Sequence, residues 1–210
     1  MSKLTNYKNE KNINEFLKKN NLKDYLIEPI PQDASSRKYY RINNNNILLM
    51  VSTSNENKNH EFIKISKYLK SIGLSSPEII KIDHKKGLFL IEDFGDLTFN
   101  QAIENNVSEE LLYLNAVKCL SSMQNNKPPK YLPIYNYKCL LNEVNLFTEW
   151  FLKEKNIVIN NSSLIKWENT WLKVLKNLKN NKIVLRDFHA DNLFWLPNRN
   201  NIKRVGLIDF

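Results

Sequence analysis

Apolar positions alternate or cluster in short runs through the first half of the chain and recur at helical spacing through much of the second. Residues 26–30, 38–42 and 47–52 read as strands, and the last of these, ILLMVS, is apolar enough to be buried on both faces. The four asparagines at 43–46 supply a turn that makes the latter two strands a hairpin. Phe62, Ile65, Ser66, Leu69 and Ile72 then lie on one helical face and stop at Gly73, which predicts a helix ended by a glycine cap. Pro77 starts an extended segment. Residues 78–83 and 87–92 form a second strand pair around His84-Lys85-Lys86, followed by the linker Asp93-Phe94-Gly95-Asp96.

From Leu97 onward the signal turns helical. Ser108 caps a helix carrying Glu109 and Glu110 in its first turn and running to about Gln124. Pro128-Pro129 and Pro133 break the chain into a loop. Residues 139–152 and 164–178 read as two further helices, the second with Trp167, Trp171, Val174, Leu175 and Leu178 on one face. Residues 183–185, 193–196 and 205–208 read as short strands. The expected fold class is therefore α+β. Residues 1–94 form an N-terminal lobe of antiparallel sheet plus helix, and residues 95–210 a mainly helical second lobe. Two lobes around a cleft suit a ligand site, but many folds share that outline.

Composition narrows the function classes. With 210 residues and 42% hydrophobic content the chain can bury a core. No apolar run reaches membrane-spanning length, and the first thirty residues lack the apolar stretch of a secretion signal, so a soluble cytoplasmic protein without a membrane partner is expected. Cys119 and Cys139 have neither a Cys-x-x-Cys pair nor a nearby histidine at ligand spacing, which points to packing. The net charge of +9 invites a nucleic-acid reading. Lysine and asparagine, however, pervade every segment instead of forming one basic stripe, so no specific nucleic-acid partner is expected.

The chemistry-bearing segment is LRDFHADN at 185–192, followed by GLIDF at 206–210. Phosphoryl transfer needs a carboxylate to orient and deprotonate the attacking hydroxyl, and two oxygen ligands to hold magnesium against the phosphates. Asp187 with Asn192 five residues on, then a strand ending in Asp209, supplies all three: Asp187 as catalytic base, Asn192 and Asp209 as metal ligands. The competing reading is chance spacing, with Asp209 an ordinary strand-ending turn residue. Arg186 directly before the aspartate, as in a protein-kinase catalytic loop, favours the first reading. His189 lacks the second histidine of a metal hydrolase and is read as loop filler, with Asp191 a cap or a solvated charge.

Four segments in order, DASSRKYYR at 33–41, EVNLFTEW at 143–150, LRDFHADNLFWLP at 185–197 and RVGLIDF at 204–210, resemble the aminoglycoside phosphotransferase and choline kinase superfamily. Within it the chain is most similar to bacterial anomeric kinases of N-acetylmuramate and N-acetylglucosamine. The resemblance spans about residues 25–210 and implies a two-lobed protein-kinase-like fold, ATP and Mg2+ in the cleft, and a small-molecule acceptor held by the helical lobe. It makes the turn bearing Ser35, Ser36 and Arg37 the phosphate-covering loop, and Glu92, Asp93 and Phe94 the hinge whose backbone pairs with adenine. Arg37 and Arg41 either meet phosphate charge or are solvated on an edge strand. Glu149 and Trp150, with Glu143 on the same predicted helix, suit the hydroxyls and apolar face of a sugar. Alternatively, Trp150 joins Leu146 and Phe147 in the core.

Two departures stand out. Met50 occupies the third-strand position where most kinases place a phosphate-pairing lysine; the amino-sugar kinases resemble the chain here too, and Glu61, without a lysine to partner, reads as a surface charge. The sequence given ends at Phe210, whereas the family continues with a further acidic residue and helices. The expectation is a C-terminally incomplete helical lobe and a piece that is inactive or poorly soluble alone. The expected function is an ATP- and magnesium-dependent amino-sugar kinase. The alternatives are a kinase for another small alcohol, such as an aminoglycoside, choline or homoserine, and a non-catalytic nucleotide-binding pseudokinase.

Overall fold

A computed structural model describes residues 3–31, 37–52, 56–178 and 182–210. The chain divides into two compact units, Met1–Met123 with Leu185–Phe210, and Gln124–Val184.

The first unit is built on an antiparallel sheet of β1 (Ile27–Pro29), β2 (Arg37–Ile42), β3 (Ile47–Ser52), β4 (Ile79–Asp83) and β5 (Leu88–Glu92), in spatial order β1-β2-β3-β5-β4. Side chains alternate between its faces, and both faces are covered, which is why ILLMVS carries no polar alternation. Leu49 and Val51 of β3 and Leu88 and Leu90 of β5 pack with Ile13, Phe16, Leu17 and Leu22 on one side. Met50, Phe89 and Ile91 pack with Phe62 and Ile63 on the other. Ile13, Phe16 and Leu17 belong to helix α1 (Lys3–Lys19), an element the sequence reading left unassigned. Their three-and-four spacing is helical, but it is diluted by the lysine and asparagine around it.

Helix α2 (Glu56–Ser71) ends as expected. Gly73 sits at φ +85°, its N–H donates to Lys70 O at 3.0 Å, and Leu74 N–H closes on Leu69 O at 3.0 Å. After the linker, Thr98 and Gln101 form a reciprocal capping box on the short α3 (Phe99–Glu104), which the sequence reading had not separated. Ser108 Oγ accepts from Leu111 N at the start of α4 (Glu109–Gln124). Within α4, burial pushes the Cys119 thiol up to about 12, in keeping with a packing role.

Strands β6 (Leu193–Trp195) and β7 (Val205–Leu207) form a separate two-stranded ladder. It is tied to the rest of this unit by Trp195 N–H to Leu97 O (2.7 Å) and Leu207 N–H to Ser75 O (2.8 Å). The strand expected at 183–185 does not form in the described residues. Asp187 N–H turns back onto Leu185 O at 2.7 Å and Arg186 adopts φ +63°, so the chain curls into a tight turn instead of extending into a ladder.

The second unit holds α5 (Tyr137–Leu146), capped by Asn136, a π-helical turn (Phe147–Phe151), α6 (Leu152–Glu154) and α7 (Asn161–Leu175), capped by Asn160. The helix expected at 139–152 is thus continuous but carries one widened turn. Phe147 stacks on Phe151 at 5.2 Å and on Trp167 at 5.3 Å, and Trp167 Nε1 donates to Asn145 Oδ1 at 3.1 Å. Of the residues read on one face of the expected 164–178 helix, Leu175 is buried but Val174 and Leu178 are exposed, and Leu178 lies beyond the end of α7. Among the described residues no helix is long and apolar enough to cross a membrane.

Candidate active site

A cavity of about 400 Å³ in the first unit lies against the sheet face bearing Tyr39, Arg41 and Leu48. Linker residues Glu92 to Asp96 and, from the segment after 185, Asp191, Asn192, Phe194, Ile208 and Asp209 complete its wall. The volume falls within the range of small-molecule sites, about 300–1,000 Å³.

Strand register explains why Asn192 and Asp209 meet there. Leu193 pairs with Leu207, and Ile208 N–H then donates to Asn192 O at 3.3 Å, so the residues flanking the ladder emerge side by side. Asn192 Nδ2 donates to the Asp187 carbonyl at 3.1 Å, closing the loop that carries Asp187 and leaving Oδ1 as the amide's oxygen for a ligand. The Asp187 and Asp209 carboxylates are exposed and have no hydrogen-bond or ion-pair partner among the described residues. Asp187 is held beside the cavity through Asn192 but is not itself part of its wall.

Backbone strain marks the same spot. Among the described residues seven non-glycine residues have positive φ; four are asparagines in turns, Asn201 opens a short 3-10 helix, and the other two are Arg186 and Asp209. Arginine in the left-handed region is costly, and such strain persists where surrounding contacts over-determine it.

The oxygen donors suit magnesium, which binds through one or two carboxylates and retains several waters. Asn192 Oδ1 and the Asp209 carboxylate fit that demand, while no group of three or more His, Cys, Asp or Glu among the described residues makes a closed cage. Tyr39 lies near Asp209, and its phenol is pushed up mainly by burial, opposed by the neighbouring Arg37.

The linker is unusually committed. Glu92 N–H donates to Glu78 O (2.8 Å), Asp93 N–H to Asn46 O (3.0 Å) and Gly95 N–H to Asp93 Oδ1 (2.7 Å). The Phe94 N–H has no partner among the described residues. Its ring rests on Gly206, where a Cβ would stand 2.7 Å from Phe94 Cδ2. Glycine is therefore required there by the close approach of an aromatic face.

Residues 26–210 match the phosphotransferase enzyme family. The chain belongs to that family. It is 29% identical over 193 residues to the N-acetylmuramate/N-acetylglucosamine kinase of Caulobacter vibrioides, a match covering 87% of this chain and 52% of the relative. The chain thus spans about half the length of the curated relatives it matches. Among solved structures it resembles the gentamicin complex of APH(2")-IIa, with a TM-score of 0.60 at 14% identity, over 94% of this chain and 68% of that one. ADP-bound APH(2'')-Ib follows at 0.58 and 13%, covering 92% and 68%. Choline kinase from Cryptosporidium parvum gives 0.55 at 16% identity, covering 94% and 63%. These likenesses establish the protein-kinase-like fold.

The remaining sequence candidates separate by environment. Ser35 and Ser36 lie outside the described residues. Arg37 stands over the Phe62 ring, 4.9 Å from its centroid. Arg41 is engaged by the linker: Nε donates to Asp93 Oδ2 (2.6 Å), Nη1 to Asp96 (2.8 Å) and Nη2 to Gly95 O (3.2 Å). Met50 faces the same side of the sheet as Leu48 but is fully enclosed, 0% exposed, between Tyr39 and Phe89 in the ladder. Glu149 and Trp150 sit in the π-helical turn of the second unit; at 72% exposure Trp150 is not the core residue of the competing reading.

Sequence reasoning missed Arg199. Its guanidinium pairs with the Glu92 carboxylate and covers the Phe94 ring at 5.1 Å. No local signal betrays a loop arginine whose partner is 107 positions away.

Proposed function

We propose that the chain is the nucleotide-binding and catalytic part of an ATP- and magnesium-dependent kinase that phosphorylates a hydroxyl of an amino sugar, N-acetylmuramate or N-acetylglucosamine. The observation that carries this reading is the meeting of Asn192 and Asp209 at one cavity, with Asp187 bonded to Asn192, beneath a linker that presents the Phe94 N–H. The names of the curated relatives support the acceptor class.

Each residue has a task in that reaction. The Phe94 N–H donates to a ring nitrogen of the base. Among the described residues five carboxylates, Glu92, Asp93, Asp96, Asp191 and Asp209, line the cavity; Glu92 is paired with Arg199 and Asp93 and Asp96 with Arg41, so the remaining acidic groups favour a polyphosphate that enters accompanied by a divalent cation. Bound magnesium would neutralise charge on the transferring phosphoryl group. Asn192 Oδ1 and the Asp209 carboxylate are the oxygens that would hold it. The Asp187 carboxylate accepts the acceptor's hydroxyl proton as that oxygen bonds to the γ-phosphorus; the bond to the β–γ bridging oxygen breaks and ADP leaves.

A second reading, a nucleotide-binding protein without transfer activity, draws on one observation: the buried Met50 brings no cation where kinases place a lysine. Asp187→Asn separates the two. On the kinase reading, transfer of labelled γ-phosphate from ATP to N-acetylglucosamine falls by about 10²–10⁴-fold while ATP affinity is unchanged. Transfer by the variant equal to that of the unmodified protein would remove Asp187 from the mechanism.

A further inference from the structure

The five-residue linker 92–96 is held from two sides by arginines: Arg41, which the sequence leaves as either a phosphate contact or a solvated charge on an edge strand, and Arg199, which it does not single out. On one side, Arg41 of β2 spans Asp93, Gly95 O and Asp96, with the Asp93 side chain only 8% exposed. Forked pairing of this kind fixes geometry as well as charge, and it holds the guanidinium's proton above even arginine's usual range, chiefly through the bond to Asp93. On the other side, Arg199 pairs with Glu92 and stands over the Phe94 ring, which also lies close against Gly206. Arg199 is itself anchored: its N–H donates to Leu196 O at 3.0 Å, and its carbonyl accepts from Arg204 Nε at 3.0 Å.

We propose that Arg41 and Arg199 form a two-sided clamp of positioning residues that presets the linker for a planar base, and that Arg41 acts through Asp93 and Asp96 instead of touching phosphate. The proposal rests on the nucleotide reading above. Of the five linker amides, those of Glu92, Asp93 and Gly95 are already consumed by the protein and those of Phe94 and Asp96 have no partner among the described residues; in this proposal the Phe94 amide is the one that meets the base. The two arginines fix the residues on either side of that amide. A displacement of an ångström at such a site is expensive, and a preset linker spares the ordering cost on binding.

The test compares adenosine, AMP, ADP and ATP, each with Mg2+, by calorimetry on the protein and on Arg41→Ala, Arg41→Lys and Arg199→Ala. A clamp predicts that Arg41→Ala weakens all four ligands by a similar factor, about tenfold, because the shared adenosine moiety is what the linker reads. Lysine, which lacks the fork, restores little of the loss. Amide hydrogen exchange at 92–96 should accelerate in both alanine variants while exchange in β3 stays slow, a readout that remains informative without any ligand. A loss that grows with the number of phosphates would make Arg41 a phosphate contact and overturn the proposal. So would unchanged affinities and unchanged exchange. If the unmodified protein binds none of the four, the nucleotide reading fails first and takes the clamp's purpose with it, a result distinct from variants that bind as well as the parent.

Discussion

Single residues at the candidate site are constrained by neighbours far away in sequence, and Gly206 shows this most sharply. Its hydrogen is all that fits beneath Phe94, with Leu196 a further 3.1 Å contact for any added methyl. Gly206→Ala should therefore destabilise the protein by about 1–3 kcal/mol through overpacking, measured as a lower urea midpoint at unchanged slope. A midpoint equal to the parent's would mean that Phe94 swings away freely and that the linker is not seated as described. Asp187, Asn192 and Asp209 stand out in the sequence through local spacing and the oxygen chemistry of phosphoryl transfer, whereas the strand register that brings Asn192 and Asp209 to one cavity does not. Arg41 was legible only as a charge. Its partners, Asp93 and Asp96, lie more than fifty positions on and become neighbours only through the β1-β2-β3-β5-β4 strand order.

At the scale of elements, the sheet was legible nearly to its boundaries because strand alternation and asparagine or glycine turns are local signals. Strand β3 occupies the expected 47–52 without change. Three misses have physical causes. Helix α1 hides its apolar stripe in a polar background; α3 spans only six residues; and the expected strand at 183–185 is undone by a tight turn that only the folded loop imposes. Helix α1 matters energetically, since Phe16 closes one face of the sheet together with Leu49 and Leu90. Phe16→Ala should cost about 3–5 kcal/mol. A thermal or urea melt reads this directly, and a loss below about 1 kcal/mol would mean that α1 is dispensable to the sheet it covers.

For the molecule as a whole, the family was legible from four separated motifs, and the match over residues 26–210 bears it out. The high net charge proved uninformative about the site, whose cavity, among the described residues, is lined by five carboxylates and one arginine. All candidate nucleotide and metal groups belong to the first unit, whereas the acceptor candidates Glu149 and Trp150 belong to the second. The central claim is accordingly that the first unit's cavity binds a metal–nucleotide complex through Asn192 and Asp209. The most direct measurement is calorimetric titration of ATP into the protein and into Asp209→Ala, with and without Mg2+. The account predicts ATP affinity that rises on adding Mg2+ and an Asp209→Ala variant in which that rise is lost. ATP binding that is absent, or indifferent to Mg2+ in both proteins, would contradict it.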